Sequence, residues 1–526
     1  KAAYDILEQE LAGILLSRMQ DILDYDRTQS EDAADVIVAS GDAYNAFIDN
    51  DIVDMSHFSA EGAGAAEQSV YGKFAPYKEQ VLSQLTSIMQ DGNASAYRDM
   101  SREWQAYLSH VVNEVLTGEN GVIMSDAIDT DDETYQQWRN EETINIYTHL
   151  NYAISQNWVD ASKLQAYLSS EGNYSDSSEV YSAMISYVTD RLSSSTDFDK
   201  LIYQYMIKAG TVTGRELCMI LYEQGVLPMD ETQYNNLASG ATGAYDFLRS
   251  KIQSLEITPG QLGLEPCRGS VVITDTDSGD VLACVSYPGY DNNRLANTMD
   301  SEYYNELNTS TSQPFYNSAT QETTAPGSTY KPLVAVAGLT EGAIDTSTTV
   351  YCDGNFDVIS PEVHCWVYPA GHGTMNVVSG ITNSCNEFFN NIGYQLGMQT
   401  DGTYSSEYGL ERLAKYAELF GLSETSGLEI PEMDPKVSDE DSVRSAMGQG
   451  TNNYTTSQLA RYITAVANKG TLYELTLLDR VENVDGEVVE EFQNGEARTI
   501  EGVSSSTWDA VHAGMGTAVE DHQAGA

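Results

Sequence analysis

Pro326-Gly327-Ser328-Thr329-Tyr330-Lys331-Pro332 runs directly into the apolar stretch Leu333-Val334-Ala335-Val336-Ala337. A Pro-Gly turn, a serine and then an apolar run, with no strand pattern before it, read as a loop that becomes a helix at Ser328. Proline is tolerated only in the first turn of a helix, so Pro332 keeps Lys331 at the helix start. Residues three apart share a helix face, and the spacing therefore predicts the Lys331 amine one turn from the Ser328 hydroxyl. Serine is a weak nucleophile until a base takes its proton. Lysine can be that base only where burial or neighbouring charge lowers its pKa. The helix N-terminus also offers backbone N–H groups to a developing oxyanion. A serine cap followed by a solvated lysine would give the same four letters, so the surrounding sequence has to decide.

The next element outward is Ser384-Cys385-Asn386, ahead of a helical pattern carried by Phe388, Phe389, Ile392 and Leu396. Ser384-x-x-Glu387 fits a capping box. As chemistry, Ser384 could pass a proton between Lys331 and a leaving amine, and the Asn386 amide could hold a peptide substrate. The other common catalytic and nucleotide-binding motifs are missing: no G-x-S-x-G, H-E-x-x-H, G-x-x-x-x-G-K or G-x-G-x-x-G occurs. Seven scattered histidines and the lack of any C-x-x-C predict no metal site, and no cofactor is expected. Cys218 lies among Leu217, Met219 and Ile220 and reads as a small buried apolar residue. Cys352 and Cys365 bracket Gly354, Asn355 and Pro361, a loop that could be bridged in an oxidising compartment.

Length and composition frame this centre. A chain of 526 residues, 41% of them hydrophobic, holds two or three domains. Lys+Arg 26 against Asp+Glu 79 gives a net charge of −53. Such a surface repels nucleic acid and anionic membrane and suits the solvated shell of a secreted protein. No run approaches the roughly 18 apolar residues that cross a bilayer. The first residue is Lys1, not Met, and the expectation is attachment through an anchor preceding it.

Along the chain, Tyr4, Leu7, Leu11, Ile14 and Leu15 predict an amphipathic helix over 1–20. Residues 21–263 keep a helical pattern with acidic and Ser-rich breaks, and Thr213-x-x-Glu216 and Asp176-x-x-Glu179 mark helix starts. A stripe of Ile144, Tyr147, Leu150 and Ile154 reads as core. Thr258-Pro259-Gly260 is the clearest boundary. Ser270–Thr274 and Val281–Val285, separated by Asp277-Ser278-Gly279-Asp280, predict a β-hairpin, and Asp485-Gly486 predicts another. Residues 505–520 return to helix, with Trp508, Val511 and Met515 on one face.

These residues together resemble a family. Ala325 to Pro332 is similar to the active-site serine motif of class B penicillin-binding proteins, and Ser384-Cys385-Asn386 to their S-x-N motif. Met447-Gly448-Gln449-Gly450, followed by Thr456–Ala460, resembles their Gly-Gln-Gly loop and the helix after it. Gly269–Asn293 resembles the first hairpin of the transpeptidase domain, and residues 1–20 the helix that leads into it. The resemblance covers 1–20 and 264–526; residues 21–263 look like the large helical insertion of clostridial relatives. The third family motif, Lys-Thr-Gly or Lys-Ser-Gly, does not occur in the sequence.

The resemblance implies a mixed α/β (α+β) fold, with an antiparallel sheet flanked by helices, an all-helical subdomain and an inserted helical domain. The expected division is 1–20, 21–263 and 264–526. The sheet is expected to be incomplete at the C-terminus, with the Lys-Thr-Gly strand and those after it lying past Ala526, and the fragment weakly active or inactive. The implied activity is a serine D,D-transpeptidase that cross-links peptidoglycan stem peptides and is acylated by β-lactams. Ser328, Lys331 and Ser384 are the implied catalytic residues, and Asn386, Gly448, Gln449 and Gly450 the substrate-binding ones. Division or elongation proteins are the expected protein partners, and the extracytoplasmic face of the bacterial plasma membrane the expected location. Two rival readings share parts of this pattern: a β-lactam sensor or serine β-lactamase, which also uses S-x-x-K, and a non-catalytic cell-wall scaffold built around the acidic insertion.

Overall fold

The computed structural model describes residues 1–25, 37–168, 176–492 and 497–522. Helix α1 (Ala2–Arg18) opens the chain. Leu11 and Leu15 are buried along it, whereas Ile14 is 40% exposed. At 100° per residue Ile14 lies well off the line joining Leu11 to Leu15, so the expected stripe is narrower than the sequence suggested. The chain forms two compact units, one of residues 12–265 and one of residues 1–11 with 266–526. The division therefore falls inside α1.

Residues 12–265 are mainly helical. The longest helix, α2 (Ala65–Gln90), places Phe74 in a stack on Tyr203 of α3 (Thr196–Lys208), with ring centroids 4.2 Å apart. Carboxylates satisfy the N-terminus of α2. Glu67 accepts from Gly64 N–H at 2.6 Å, and Glu223 accepts from Ala66 N–H at 3.0 Å. Negative charge at a helix start is favourable, so part of the acidic excess is structural. Thr213 and Glu216 form the expected capping box, and Asp176 caps the helix after it. The ends of this unit meet: the Tyr245 hydroxyl donates to Met19 O at 2.8 Å, and Arg249 to Leu16 O at 2.7 Å.

In the other unit the predicted hairpin is present as β1 (Gly269–Thr274) and β2 (Val281–Tyr287), an antiparallel two-stranded sheet with a bulge at Ile273/Thr274. Its turn is set by Asp275, whose carboxylate accepts from the N–H groups of Asp277 and Ser278, and by Gly279 at φ +76. Tyr4 packs on Tyr287 at 5.3 Å, which docks the start of α1 against the hairpin. Helix α4 (Lys331–Thr340), with eight residues buried from Lys331 to Gly338, runs through the core of this unit. Around it lie α5 (Val377–Thr382), α6 (Asn386–Leu396), α7 (Thr456–Ala467) and α8 (Ser505–His522), the last burying Trp508 and Val511 as expected. Ser270 meets Thr456 at 2.8 Å, so α7 covers one face of the hairpin. Two short ribbons, Val350–Cys352 with Gly373–Met375 and Asn355–Phe356 with Val363–His364, form a lobe beside the start of α6. The second predicted hairpin pairs Arg480–Glu482 with Val488–Glu491. The fold is thus mixed α/β with an additional helical region in its N-terminal half.

Candidate active site

Ser328 sits on one tight turn of 3-10 helix, Gly327–Tyr330, which feeds α4 at Lys331. The α-helix therefore begins three residues later than the sequence pattern suggested, with Pro332 still in its first turn. Gly327 has φ +56, a left-handed conformation that glycine adopts freely. The turn is braced from behind. Tyr462 of α7 donates to Thr329 O at 3.0 Å and accepts from Leu333 N–H at 3.2 Å, while Tyr330 stacks on Tyr454. Ser328 itself is exposed, and three positions on Lys331 is only 2% exposed.

The Lys331 ammonium makes three hydrogen bonds: to Ser384 O at 2.7 Å, Ser384 Oγ at 2.9 Å and Asn386 Oδ1 at 2.8 Å. The Ser384 hydroxyl donates onward to Ser328 Oγ at 2.8 Å. Ser384 therefore stands between the lysine and the serine that sequence spacing placed side by side. Burial lowers the Lys331 pKa to about 8, against a smaller opposing effect of the Cys365 and Cys385 sulfurs. A neutral amine, which can accept a proton, is then within reach near neutral pH.

The capping-box reading of Ser384 is excluded. The residue preceding α6 is Cys385, which makes no side-chain cap, and Glu387 instead accepts from Gly354 N–H at 3.0 Å. Ser384 has φ +48, strained for a side chain of its kind, and its hydroxyl is used entirely in the chain between Lys331 and Ser328. Gly448 O accepts from Gly327 N–H at 3.0 Å, and a Cβ on Gly448 would lie 1.8 Å from Gly327 O. That contact and φ +82 both require glycine there. Gln449 lines the resulting cleft, an open cavity of about 570 Å³ walled also by Ser328, Ser384, Asn386 and Met447. Gly450, at φ +70, packs against Ser438 and Ser445 instead of lining it.

Two features were not legible in the sequence. Trp366, 65% exposed, forms a further wall of the cleft, its indole N–H held by Asn383 O at 3.1 Å. Behind it, Cys352, Cys365, His372 and Cys385 converge, with their sulfurs and one imidazole nitrogen all within 4.8 Å of one another. The bridged loop expected of Cys352 and Cys365 is not formed, and neither cysteine is in a disulfide. His372 Nδ1 lies 3.5 Å from both Cys352 Sγ and Cys365 Sγ. A tetrahedral ion with bonds of about 2.3 Å to sulfur and about 2.0–2.1 Å to nitrogen has S···N edges of about 3.6 Å. Three thiols and an imidazole at these separations could hold a zinc-class ion, a grouping that the sequence reading did not anticipate. The four residues come from two short ribbons and a helix start, at spacings that match no local metal-binding pattern. The nearest sequence signal is a cysteine inside the S-x-N triplet.

Comparison with known proteins follows the same lines. The family profile of the penicillin-binding protein transpeptidase domain matches residues 269–526. The chain carries a penicillin-binding protein transpeptidase domain. The peptidoglycan D,D-transpeptidase MrdA of Haemophilus influenzae is 29% identical over 258 residues, 44% of this chain and 36% of that protein. MrdA of Escherichia coli is 32% identical over 166 residues, 31% of this chain and 24% of that protein. The matched region is thus 24–36% of the length of these two relatives. Among solved structures, Pseudomonas aeruginosa PBP2 has a TM-score of 0.41 at 25% identity, over 52% of this chain and 58% of that one. The transpeptidase domain contains every residue of the cleft described above.

Proposed function

We propose that the chain is the catalytic part of a serine D,D-transpeptidase that cross-links peptidoglycan stem peptides and is acylated by penicillins. The observation that carries this is the unbroken line Ser328–Ser384–Lys331 ending on a buried lysine of lowered pKa. With Lys331 neutral, the two hydrogen bonds reverse. Ser328 donates to Ser384, Ser384 donates to the amine, and Ser328 Oγ is freed to attack the carbonyl between two D-alanines. The same line run backwards carries the proton to the departing D-alanine. An amine from a second stem then takes the acyl group. Asn386 and Gln449 border the cleft where the peptide would lie, and Gly448 holds the Gly-Gln-Gly loop against the nucleophile's turn.

The cluster of Cys352, Cys365, His372 and Cys385 holds a zinc-class ion in this reading. Such an ion would tie the ribbon lobe to the start of α6 and fix the S-x-N triplet from behind. The insertion 21–263 lies within the compact unit of residues 12–265, and its protein partners would be those of cell-wall division or elongation. Residence outside the plasma membrane belongs to the same reading; among the described residues no helix is long and apolar enough to cross a membrane.

Three assays test this. The protein should release D-alanine from a stem pentapeptide with an amine acceptor, and Ser328→Ala should abolish the release. Fast, complete hydrolysis of penicillin by the wild type would favour the β-lactamase alternative. Zinc content measured on protein purified without chelator should approach one per chain.

A further inference from the structure

The zinc-class cluster is made almost wholly of oxidisable donors, and one of them belongs to the catalytic loop. Cys385 lies between Ser384 and Asn386, the two residues that provide all three acceptors of Lys331. Its sulfur lies within 4.8 Å of that of Cys365. Both thiols are free and at most 2% exposed. Cys365 directly precedes Trp366, and Cys385 stands between Ser384 and Asn386; Trp366, Ser384 and Asn386 are all wall residues of the open cleft. A bulky thiol reagent is excluded by that burial, whereas hydrogen peroxide is close to water in size.

We propose that Cys365 and Cys385 form a peroxide-responsive dithiol whose oxidation expels the ion and switches off acylation of Ser328. The inference rests on the reading above, that the cluster is loaded and that Ser328 is the acylated residue. In the step, the two thiolates give up one electron pair and an S–S bond forms. The O–O bond of a hydroperoxide breaks, and with two protons from solvent its oxygens leave as water and an alcohol, or as two waters from hydrogen peroxide. Cys352 and His372 are then the only donors left, too few for a closed structural site, and the ion departs.

The catalytic consequence follows from geometry. Sulfurs lying up to 4.8 Å apart must close to about 2.05 Å. Cys385 has little freedom to supply that motion by its side chain alone, because its N–H is held by Gly380 O at 2.9 Å and its carbonyl by Phe389 N–H at 3.3 Å. The strained Ser384, at φ +48, is the neighbouring joint that can give. Moving it breaks the line from Ser328 to Lys331.

The test uses the full chain, zinc-loaded, treated with hydrogen peroxide and then with dithiothreitol plus zinc. Expected together are release of one zinc per chain to a chromogenic chelator, loss of two of the six thiols, a Cys365–Cys385 disulfide on peptide mapping, and at least a tenfold slower reaction with fluorescent penicillin. Reduction with zinc should restore the rate. An aromatic disulfide reagent should leave the native protein untouched, and Cys284→Ser, outside the cluster, should not change the response. Cys365→Ser should lose the reversible response, and if it does not fold, mapping of the wild type still decides. The proposal is overturned if the Cys365–Cys385 disulfide forms and the rate holds, or if the lost thiols map to Cys218, Cys267 or Cys284. A chain that never labels with penicillin before treatment refutes the transpeptidase reading instead. One that forms the disulfide and loses acylation without ever holding zinc refutes only the metal.

Discussion

Replacing Asn386 by aspartate changes one atom group and places a carboxylate where Oδ1 now accepts from Lys331 Nζ at 2.8 Å. Two unit charges at that distance interact by about 1.5 kcal/mol in water and about 6 kcal/mol at an effective dielectric of 20. The site borders an open cleft, so the lower third of that range, about 1.5–3 kcal/mol, applies, and the lysine pKa should rise by about 1–2. Burial holds it at about 8 in the wild type, so the variant should titrate at about 9–10. At pH 7 the neutral fraction of the amine is then about a tenth in the wild type and about 10- to 100-fold smaller in Asn386→Asp. The assay is the second-order rate of acylation by a fluorescent penicillin from pH 5.5 to pH 10. The wild-type rate should climb about tenfold per pH unit and level off above about 8, while the variant's rise should be displaced upward. Asn386 also borders the cleft, so the plateau height can change for other reasons; the midpoint is the readout. A variant midpoint equal to that of the wild type, or a wild-type profile flat across the range, would refute Lys331 as the base.

Further outcomes follow from the same geometry. Lys331→Met removes the proton acceptor and should slow acylation by about 10²–10⁴. The folded-state pKa of Lys331 lies below the unfolded value of about 10.4, so between about 8 and 10.4 the unfolded chain holds more protons and this residue makes stability rise with pH. Chemical denaturation of wild type and variant across that window should show the rise lost in Lys331→Met. Ser384→Ala breaks the line and should cost about 10²-fold in acylation at an almost unchanged melting temperature; a small loss would mean that Lys331 reaches Ser328 directly. Gly448→Ala drives a Cβ into Gly327 O and strains a left-handed residue, which should cost about 1–3 kcal/mol and lower both the melting temperature and the acylation rate.

Features set by neighbours in the chain were readable from the sequence. Pro332 fixed the helix start near Lys331, and Asp275 with Gly279 fixed the hairpin turn, because each acts over four or five residues. Ser384 was ambiguous. Locally, Ser384-x-x-Glu387 is a sound capping box, and only tertiary packing turns the Ser384 hydroxyl towards Lys331 and gives Glu387 the N–H of Gly354. The sequence placed the lysine beside Ser328 but gave no means of seeing that Ser384 would stand between them. The cysteine–histidine cluster was hidden more deeply. Cys352 and Cys365 as a pair suggested a bridge, and their true neighbours, His372 and Cys385, arrive through two ribbon pairings and a helix start that no local pattern encodes. Trp366 gave no signal either, since an exposed tryptophan in a loop becomes a cleft wall only once Asn383 O holds its indole.

The measurement closest to the centre of this account is tandem mass spectrometry of the protein after reaction with a penicillin. A covalent adduct is expected on the peptide containing Ser328, assigned to that serine, and absent from Ser328→Ala protein that melts like the wild type. An adduct on any other residue, or none on folded wild-type protein at a pH where Lys331 is neutral, would contradict Ser328 as the nucleophile.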